Sequence, residues 1–410
     1  MTSRTGDILL RPTALWLGVA LMALNVVTLG GSKAALIFLI ACLALVLRRP
    51  GNLLAETQAA GLIWALALWC LLSTLWSYAP GQTLRNAIQL TLTFAIAVAA
   101  ASRLSISSVL RVVLVTSFLT LLLSLAIGRQ TPVGHWVGIY ASKNAFAQFC
   151  TVCVIAGLAV LLDPRWRGAW RLLGVLTVAL GVLSLVKAGS AGALLAAMLT
   201  ALAMVSFSLM RRLSGWQKLF GILMAALLCA ILIVLIAGFF DSFTRAFLAA
   251  TGKDLTLTGR TDLWRIAFQE IAAHPLLGQG FKGFWVPGNP TAEALWTQFG
   301  IDSKIGFHFH HSLISNAVEI GLIGVALQIA IVGGAGFVLI GWAIAKPSAE
   351  SLFLAGFMIR QLALLNSEVV FFTQFEPVSI LTIMAAVYAR RVLRPPVSVS
   401  RAVRFRGVVA

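Results

Sequence analysis

Long apolar runs separated by short polar turns recur along nearly the whole chain. Runs of about 17 to 25 apolar residues can cross a bilayer as helices, and a helix satisfies its own backbone there. The pattern predicts twelve spans: 14–30, 34–47, 59–76, 86–102, 108–127, 145–162, 170–186, 190–209, 219–240, 318–344, 351–366 and 377–393. One segment breaks the rhythm. From Asp241 to His310 the chain stays polar. The expected organisation is therefore spans one to nine in 1–240, a large loop in 241–310, spans ten to twelve in 311–393, and a basic tail in 394–410. That tail, with Pro395, Pro396 and scattered arginines, is expected to be disordered.

The loop carries a pattern of its own. Leu263, Ile266, Ala267 and Ile271 recur at helical spacing, so Asp262–Ala273 reads as an amphipathic helix with Thr261 as its N-cap. Asp262 in the first turn suits the helix dipole, and His274-Pro275 ends the helix. A glycine-rich turn follows, Gly278-Gln279-Gly280-Phe281-Lys282-Gly283-Phe284-Trp285, and then a short helix over Thr291–Phe299. The chain re-enters the apolar region at Phe307–His311. From there to Ala345 is too long for one span of about twenty residues, so a break is expected near Gly321–Gly324 with a half-helix before it.

Composition agrees with this picture, at 60% hydrophobic and 11% charged. The basic residues orient it. With the N-terminus inside, 19 of the 31 Lys and Arg fall on the cytoplasmic side, among them Arg48, Arg49, Arg165, Arg167, Arg211 and Arg212. Both termini are then cytoplasmic and the large loop faces outward. The net charge of +18 needs no nucleic acid, because the excess sits in cytoplasmic turns and the tail, where topology and anionic lipid explain it. The first apolar stretch shows no small-residue cleavage site and reads as a span. The five cysteines all fall in spans and read as small apolar packers.

Titratable chemistry gathers at the outward side. His274, His308, His310 and His311 lie in the loop or at its edge. Histidine titrates near neutral pH, and a general base at the membrane surface is one reading of His308-Phe309-His310-His311. A zinc site is conceivable at this cluster, but the His-x-His spacing alone, with no cysteine nearby, is a weak sign of one. Cations at outward positions run against the topological rule: Lys143, Lys187, Arg260 and Arg265 are candidates to hold an anion, since a guanidinium binds phosphate bidentately. Arg360 falls inside span eleven, where an arginine is costly; it could pair with Glu368 or Glu319 or meet an anionic ligand.

These residues carry a resemblance. Gly259-Arg260-Thr261-Asp262-Leu263-Trp264, His274-Pro275-Leu276-Leu277-Gly278-Gln279-Gly280-Phe281 and Phe284-Trp285 resemble a signature of the O-antigen ligase and polysaccharide polymerase superfamily. His310-His311-Ser312-Leu313-Ile314 through Glu319-Ile320-Gly321-Leu322-Ile323-Gly324 is similar to a later one, with His311 where the family usually has Asn. Lys143-Asn144-Ala145-Phe146 and Trp76-Ser77-Tyr78-Ala79-Pro80 resemble its ExoQ-like exopolysaccharide polymerase branch.

The resemblance implies an all-α, GT-C-like polytopic glycosyltransferase of the bacterial inner membrane, with a periplasmic catalytic loop and no metal. It implies a donor glycan on undecaprenyl diphosphate and an acceptor hydroxyl on a second lipid-linked glycan (polymerase) or on lipid A core (ligase). A chain-length regulator and a flippase of the same pathway would be its partners. Within that reaction His310 is expected as base or acceptor-orienting group. Arg260 is expected on the diphosphate, helped by Lys143, Lys187 and Arg265, and Glu319 as the group that orients a histidine. His308, His311 and Arg360 complete the expected substrate contacts. A reading of another class is a transporter of a small anion such as bicarbonate. It would need polar residues strung through several spans, whereas these crowd at one face.

Overall fold

The structure, a computed structural model, describes residues 12–58, 60–221, 258–304 and 306–393, with 223, 224, 227 and 231 between. The expected span 219–240, most of it, the loop start 241–257 and the tail 394–410 lie outside the described residues. The described residues form fourteen α-helices and no β-strand. They are α1 (Pro12–Asn25), α2 (Val27–Leu47), α3 (Leu53–Gln58), α4 (Gly61–Leu72), α5 (Pro80–Arg103), α6 (Ile106–Ile127), α7 (Lys143–Leu161), α8 (Ala169–Ala188) and α9 (Ala191–Leu209). Then come α10 (Thr258–Ala273), α11 (Pro290–Gln298), α12 (Ser312–Ala345), α13 (Ala349–Leu364) and α14 (Pro377–Leu393).

Among the described residues, seven helices are long and apolar enough to cross a membrane, or eight if the bent pair Pro50–Gln58 and Gly61–Leu75 is one span. The protein is therefore an all-α polytopic membrane protein. Helices α1, α13 and α14 are shorter, at 14, 16 and 17 residues. Helix starts follow their caps. Ser105 accepts from the Ser108 amide, Ser142 accepts from the Ala145 amide, and Ser348 and Ser351 form a reciprocal capping box. Gly128 and Gly189 end α6 and α8 in the left-handed conformation.

The ends of the bundle are not alike. The starts of α5, α7, α9, α12 and α14 share an end with the finishes of α1, α6, α8 and α13, and the segment 258–311 folds over it. This segment has its own apolar centre of Leu263, Ala267, Phe284, Leu295, Trp296, Phe309 and Val318. The amphipathic face read from the sequence is the one it buries. Its helix starts at Thr258, so Thr261 lies within the first turns and is not the N-cap. The short helix runs Pro290–Gln298 and is capped by Asn289, whose side chain accepts from the Thr291 and Ala292 amides.

The expected break in α12 falls at Gly321 (φ 66°, ψ −179°). A bend in a membrane helix frees backbone groups that must find partners. They do: the Leu322 amide donates to Pro275 O at 2.9 Å, the Gln279 amide to Val318 O at 2.9 Å, and Trp69 Nε1 to Ile320 O at 2.9 Å. Trp76 Nε1 donates to Leu277 O at 3.0 Å and the Tyr78 amide to Gln279 O at 3.1 Å. The turn after α10, the break in α12 and the segment 69–78 thus form one clamp. A Cβ on Gly321 would sit 2.1 Å from Leu276 O, and one on Gly280 would sit 2.3 Å from Ser77 Oγ. Only glycine fits there.

Candidate active site

The clamp fixes the chain on both sides of His308–His311. Phe309 is buried in the centre of the 258–311 segment, and its carbonyl accepts from Trp264 Nε1 at 2.8 Å. His310 follows in the left-handed region (φ 53°). With Phe309 buried, the flanking rings of His308 and His310 turn back beside each other, centroids 4.3 Å apart. Five non-glycine residues have positive φ among the described residues: Lys282, Lys304, His310, Phe372 and Phe375. Four of the five line one of two cavities that meet at this point, and strained backbone held in place by its surroundings clusters at functional sites.

His308 Nδ1 accepts from the His310 amide at 3.0 Å. The proton of neutral His308 is then on Nε2, which faces Glu368 Oε2 at 3.8 Å, beyond a direct hydrogen bond. Burial, then the His310, Lys282 and Arg260 charges, push His308 down to about 3. Burial and the Arg260 charge push His310 down to about 4, against a Ser367 backbone hydrogen bond. Burial moves Glu368 the other way, up to about 7, although Arg260, Arg360 and a Gln148 hydrogen bond favour its ionised form. Two neutral imidazoles thus sit beside a carboxyl group poised to exchange a proton near neutral pH.

Two cavities meet here. The first, of about 430 Å³, runs between α1, α6, α7 and α14 and ends at His308, His310 and Glu368. Leu21, Val113, Phe149 and Leu381 line its inner part; Ser142, Asn144 and Pro377, at the starts of α7 and α14, line its outer part. Helix N-termini carry partial positive charge and free amides, and here they face an end that also holds Glu368 and Glu376. A third groove of about 490 Å³ on the outside of α1, α2 and α6 is apolar and shares Thr116 with it. The second cavity, of about 610 Å³, lies across His308 and holds Arg85, Lys282, Trp285, Trp296, Ser315, Gln374 and Glu376.

The sequence candidates divide. His308 and His310 line the first cavity. Arg260, on the first turn of α10, is half-buried and close enough for its charge to act on His308, His310 and Glu368. His311 instead caps α12, its Nδ1 accepting from the Ile314 amide at 3.3 Å, with its ring edge-on to Trp264. Arg265 and Lys187 are exposed, and Lys143 is half-buried at the start of α7; none of these lines either cavity. Glu319 holds Lys282, accepting from its amide at 3.2 Å with Nζ at 3.7 Å, and does not orient a histidine. Glu368 is the carboxyl group that faces a histidine, and nothing local in the sequence marks it. Arg360 is fully buried and bonds Thr151 Oγ1 at 2.8 Å and Gln148 O at 3.0 Å; no ion pair with Glu368 or Glu319 is formed.

His308, His310 and Glu368 each offer one ligand atom within 4.8 Å of the others, a set that could hold a metal ion. Positive charge from Lys282 and Arg260 acts on the same place and opposes a dication there.

Residues 176–329, which include α10, the glycine turn and the start of α12, match the family model described as O-Antigen ligase. The chain is also 31% identical, over 276 residues, to the exopolysaccharide production protein ExoQ of Rhizobium meliloti (strain 1021). That alignment covers 65% of this chain and 62% of the relative, so the chain matches less than two thirds of the relative's length. Over these residues the chain is similar to the O-antigen ligase family and to an exopolysaccharide production protein.

Proposed function

We propose that the protein is a glycosyltransferase that extends an exopolysaccharide at the periplasmic face of a bacterial inner membrane. Its donor is a glycan on undecaprenyl diphosphate. The observation that carries the reading is the convergence of His308, His310 and Glu368 on the outer end of a cavity whose inner part is apolar. The polyprenyl tail takes the apolar part, and the diphosphate meets the α7 and α14 N-termini. Arg260, on α10, supplies a charge that grows in value as the glycosidic bond breaks. Glu368 takes the acceptor proton, and neutral His310 orients the hydroxyl. Attack from the side opposite the diphosphate inverts the anomeric centre. The chemistry needs no metal. The name of the similar protein supports exopolysaccharide as the product; transfer to lipid A core differs only in the acceptor.

The test is a deletion strain complemented with wild type, His310→Ala, Glu368→Ala or Arg260→Ala, with membrane expression checked and glycans sized on a gel. Wild type should restore long polymer, and the variants should leave single repeat units on lipid. Long polymer that stays on its lipid and never reaches lipid A core would indicate ligation. Unchanged glycans in every strain would end the glycosyltransferase reading.

A further inference from the structure

The second cavity has a chemistry unlike the first. It opens to solvent beside the starts of α5 and α12, and is bounded by the glycine turn, α11 and the segment 369–376. Gln82, Arg85, Asn86 and Gln374 bring amide and guanidinium groups, and Trp285 brings a half-buried ring. Four polar atoms among its lining residues are buried without a hydrogen-bond partner: Trp296 Nε1, Ser315 Oγ, Gln374 Oε1 and Glu376 Oε2. Buried polar atoms are nearly always paired, so four at one cleft call for a ligand rich in donors and acceptors. Amides and carboxylates beside an aromatic face match a pyranose, whose hydroxyls edge a ring with an apolar C–H face.

The two cavities share Gly306, His308, Val369 and Glu376. An in-line displacement places the incoming hydroxyl opposite the leaving diphosphate. If the lipid diphosphate fills the first cavity, the attacking sugar arrives from the second.

We propose that the Trp285–Gln374 cleft is the acceptor-glycan subsite, an oligosaccharide site with the terminal sugar over Trp285 and its hydroxyl directed to His308. This rests on the transferase reading above, and the experiment separates the two. Wild type, Trp285→Ala, Trp285→Phe and Gln374→Ala are purified in lipid nanodiscs and checked for monodispersity and melting. The probe is the oligosaccharide mixture released by mild acid from the strain's own polymer. Calorimetry reads its binding, and transfer assays read KM separately for this acceptor and for the lipid-linked donor. The expected result is binding by wild type and a loss of roughly tenfold, about 1.4 kcal/mol, in Trp285→Ala and Gln374→Ala, with Trp285→Phe between. Acceptor KM rises in parallel and donor KM stays. Should Trp285→Ala fail to fold, Gln374→Ala carries the test. Equal binding by wild type and the folded variants overturns the subsite, as does a wild type that binds nothing. A rise in donor KM alone assigns the cleft to the donor's own sugars and overturns the acceptor assignment. Binding that depends on Trp285 in a protein that transfers nothing leaves the oligosaccharide site standing and removes the transferase reading.

Discussion

Gly321→Ala should unseat the segment that carries the histidines. The native backbone there has φ 66° and ψ −179°, a region open to glycine and costly by about 1–3 kcal/mol for other residues. The new methyl would also lie 2.1 Å from Leu276 O and 2.6 Å from Leu277 N, backbone atoms that cannot rotate away. Moving them breaks into the bonds Leu322 N to Pro275 O, Gln279 N to Val318 O and Trp69 Nε1 to Ile320 O. Each such bond contributes about 0.5–1.5 kcal/mol. Strain and lost bonds together reach about 3–7 kcal/mol, a large share of the 5–15 kcal/mol typical of folded proteins. Gly334 is the control. It lies on the same helix, its Cβ position is open, and its φ is ordinary, so Gly334→Ala should be neutral or gain up to about 1 kcal/mol. The assay is detergent melting followed by fluorescence-detected size exclusion. A fall of roughly 6 °C or more for Gly321→Ala, with none for Gly334→Ala, is expected. Equal melting of both variants and wild type would refute the claim that the break is clamped.

The depressed histidines set a pH dependence. Their folded values of about 3 and about 4 lie below the ordinary histidine value of 6.5, so their contribution to stability is complete above pH 6.5 and is lost as pH falls through those values. Melting temperature should therefore drop on acidification below pH 6.5, and drop less in His308→Gln or His310→Gln. Because the Arg260 charge is among the causes holding His310 low, the acid limb of any residual activity in Arg260→Gln should move to higher pH; an unmoved limb would detach Arg260 from the site. At the other end of the bundle, Glu56→Ala strands the buried Arg103, whose Nε lies 2.8 Å from Glu56 Oε1, and should cost about 3 kcal/mol in thermal unfolding. Polymer formation by purified protein should survive EDTA, and loss of activity restored by zinc would show that His308, His310 and Glu368 hold a metal after all.

Much of the fold was legible because bilayer thickness acts locally. A run of apolar residues declares a helix wherever its neighbours lie, and α5 to α9 and α12 to α14 fall within a few residues of the expected spans, α5 starting earlier, at Pro80. The break at Gly321 was legible for the same reason, since the stretch was too long for one crossing. Partners were harder. Glu319 follows the histidines closely in sequence, yet it turns to Lys282, while Glu368 arrives at His308 from sixty positions away on a segment that reads as apolar. Arg360 looked like an anion site because a lone charge in a span is costly; Thr151 and the Gln148 carbonyl meet that cost instead. The signature residues also changed meaning. Trp76, Pro275, Gly278 and Gly321 serve the clamp, and the histidines it holds serve the cavity.

The outer groove and the inner cavity share Thr116 as a wall, between α1 and α6. A polyprenyl tail gains about 0.8 kcal/mol from each CH₂ kept in lipid, so a substrate lifted into water before binding would face a prohibitive barrier. Parting of α1 and α6 at Thr116 would give an entrance in the side of the bundle and remove that step. The quantity that sets saturation of the proposed transferase is then the surface density of carrier lipid in the leaflet, and the search for it runs in two dimensions. Dilution of the carrier with inert phospholipid should slow such an enzyme, and dilution of the vesicles with buffer should not.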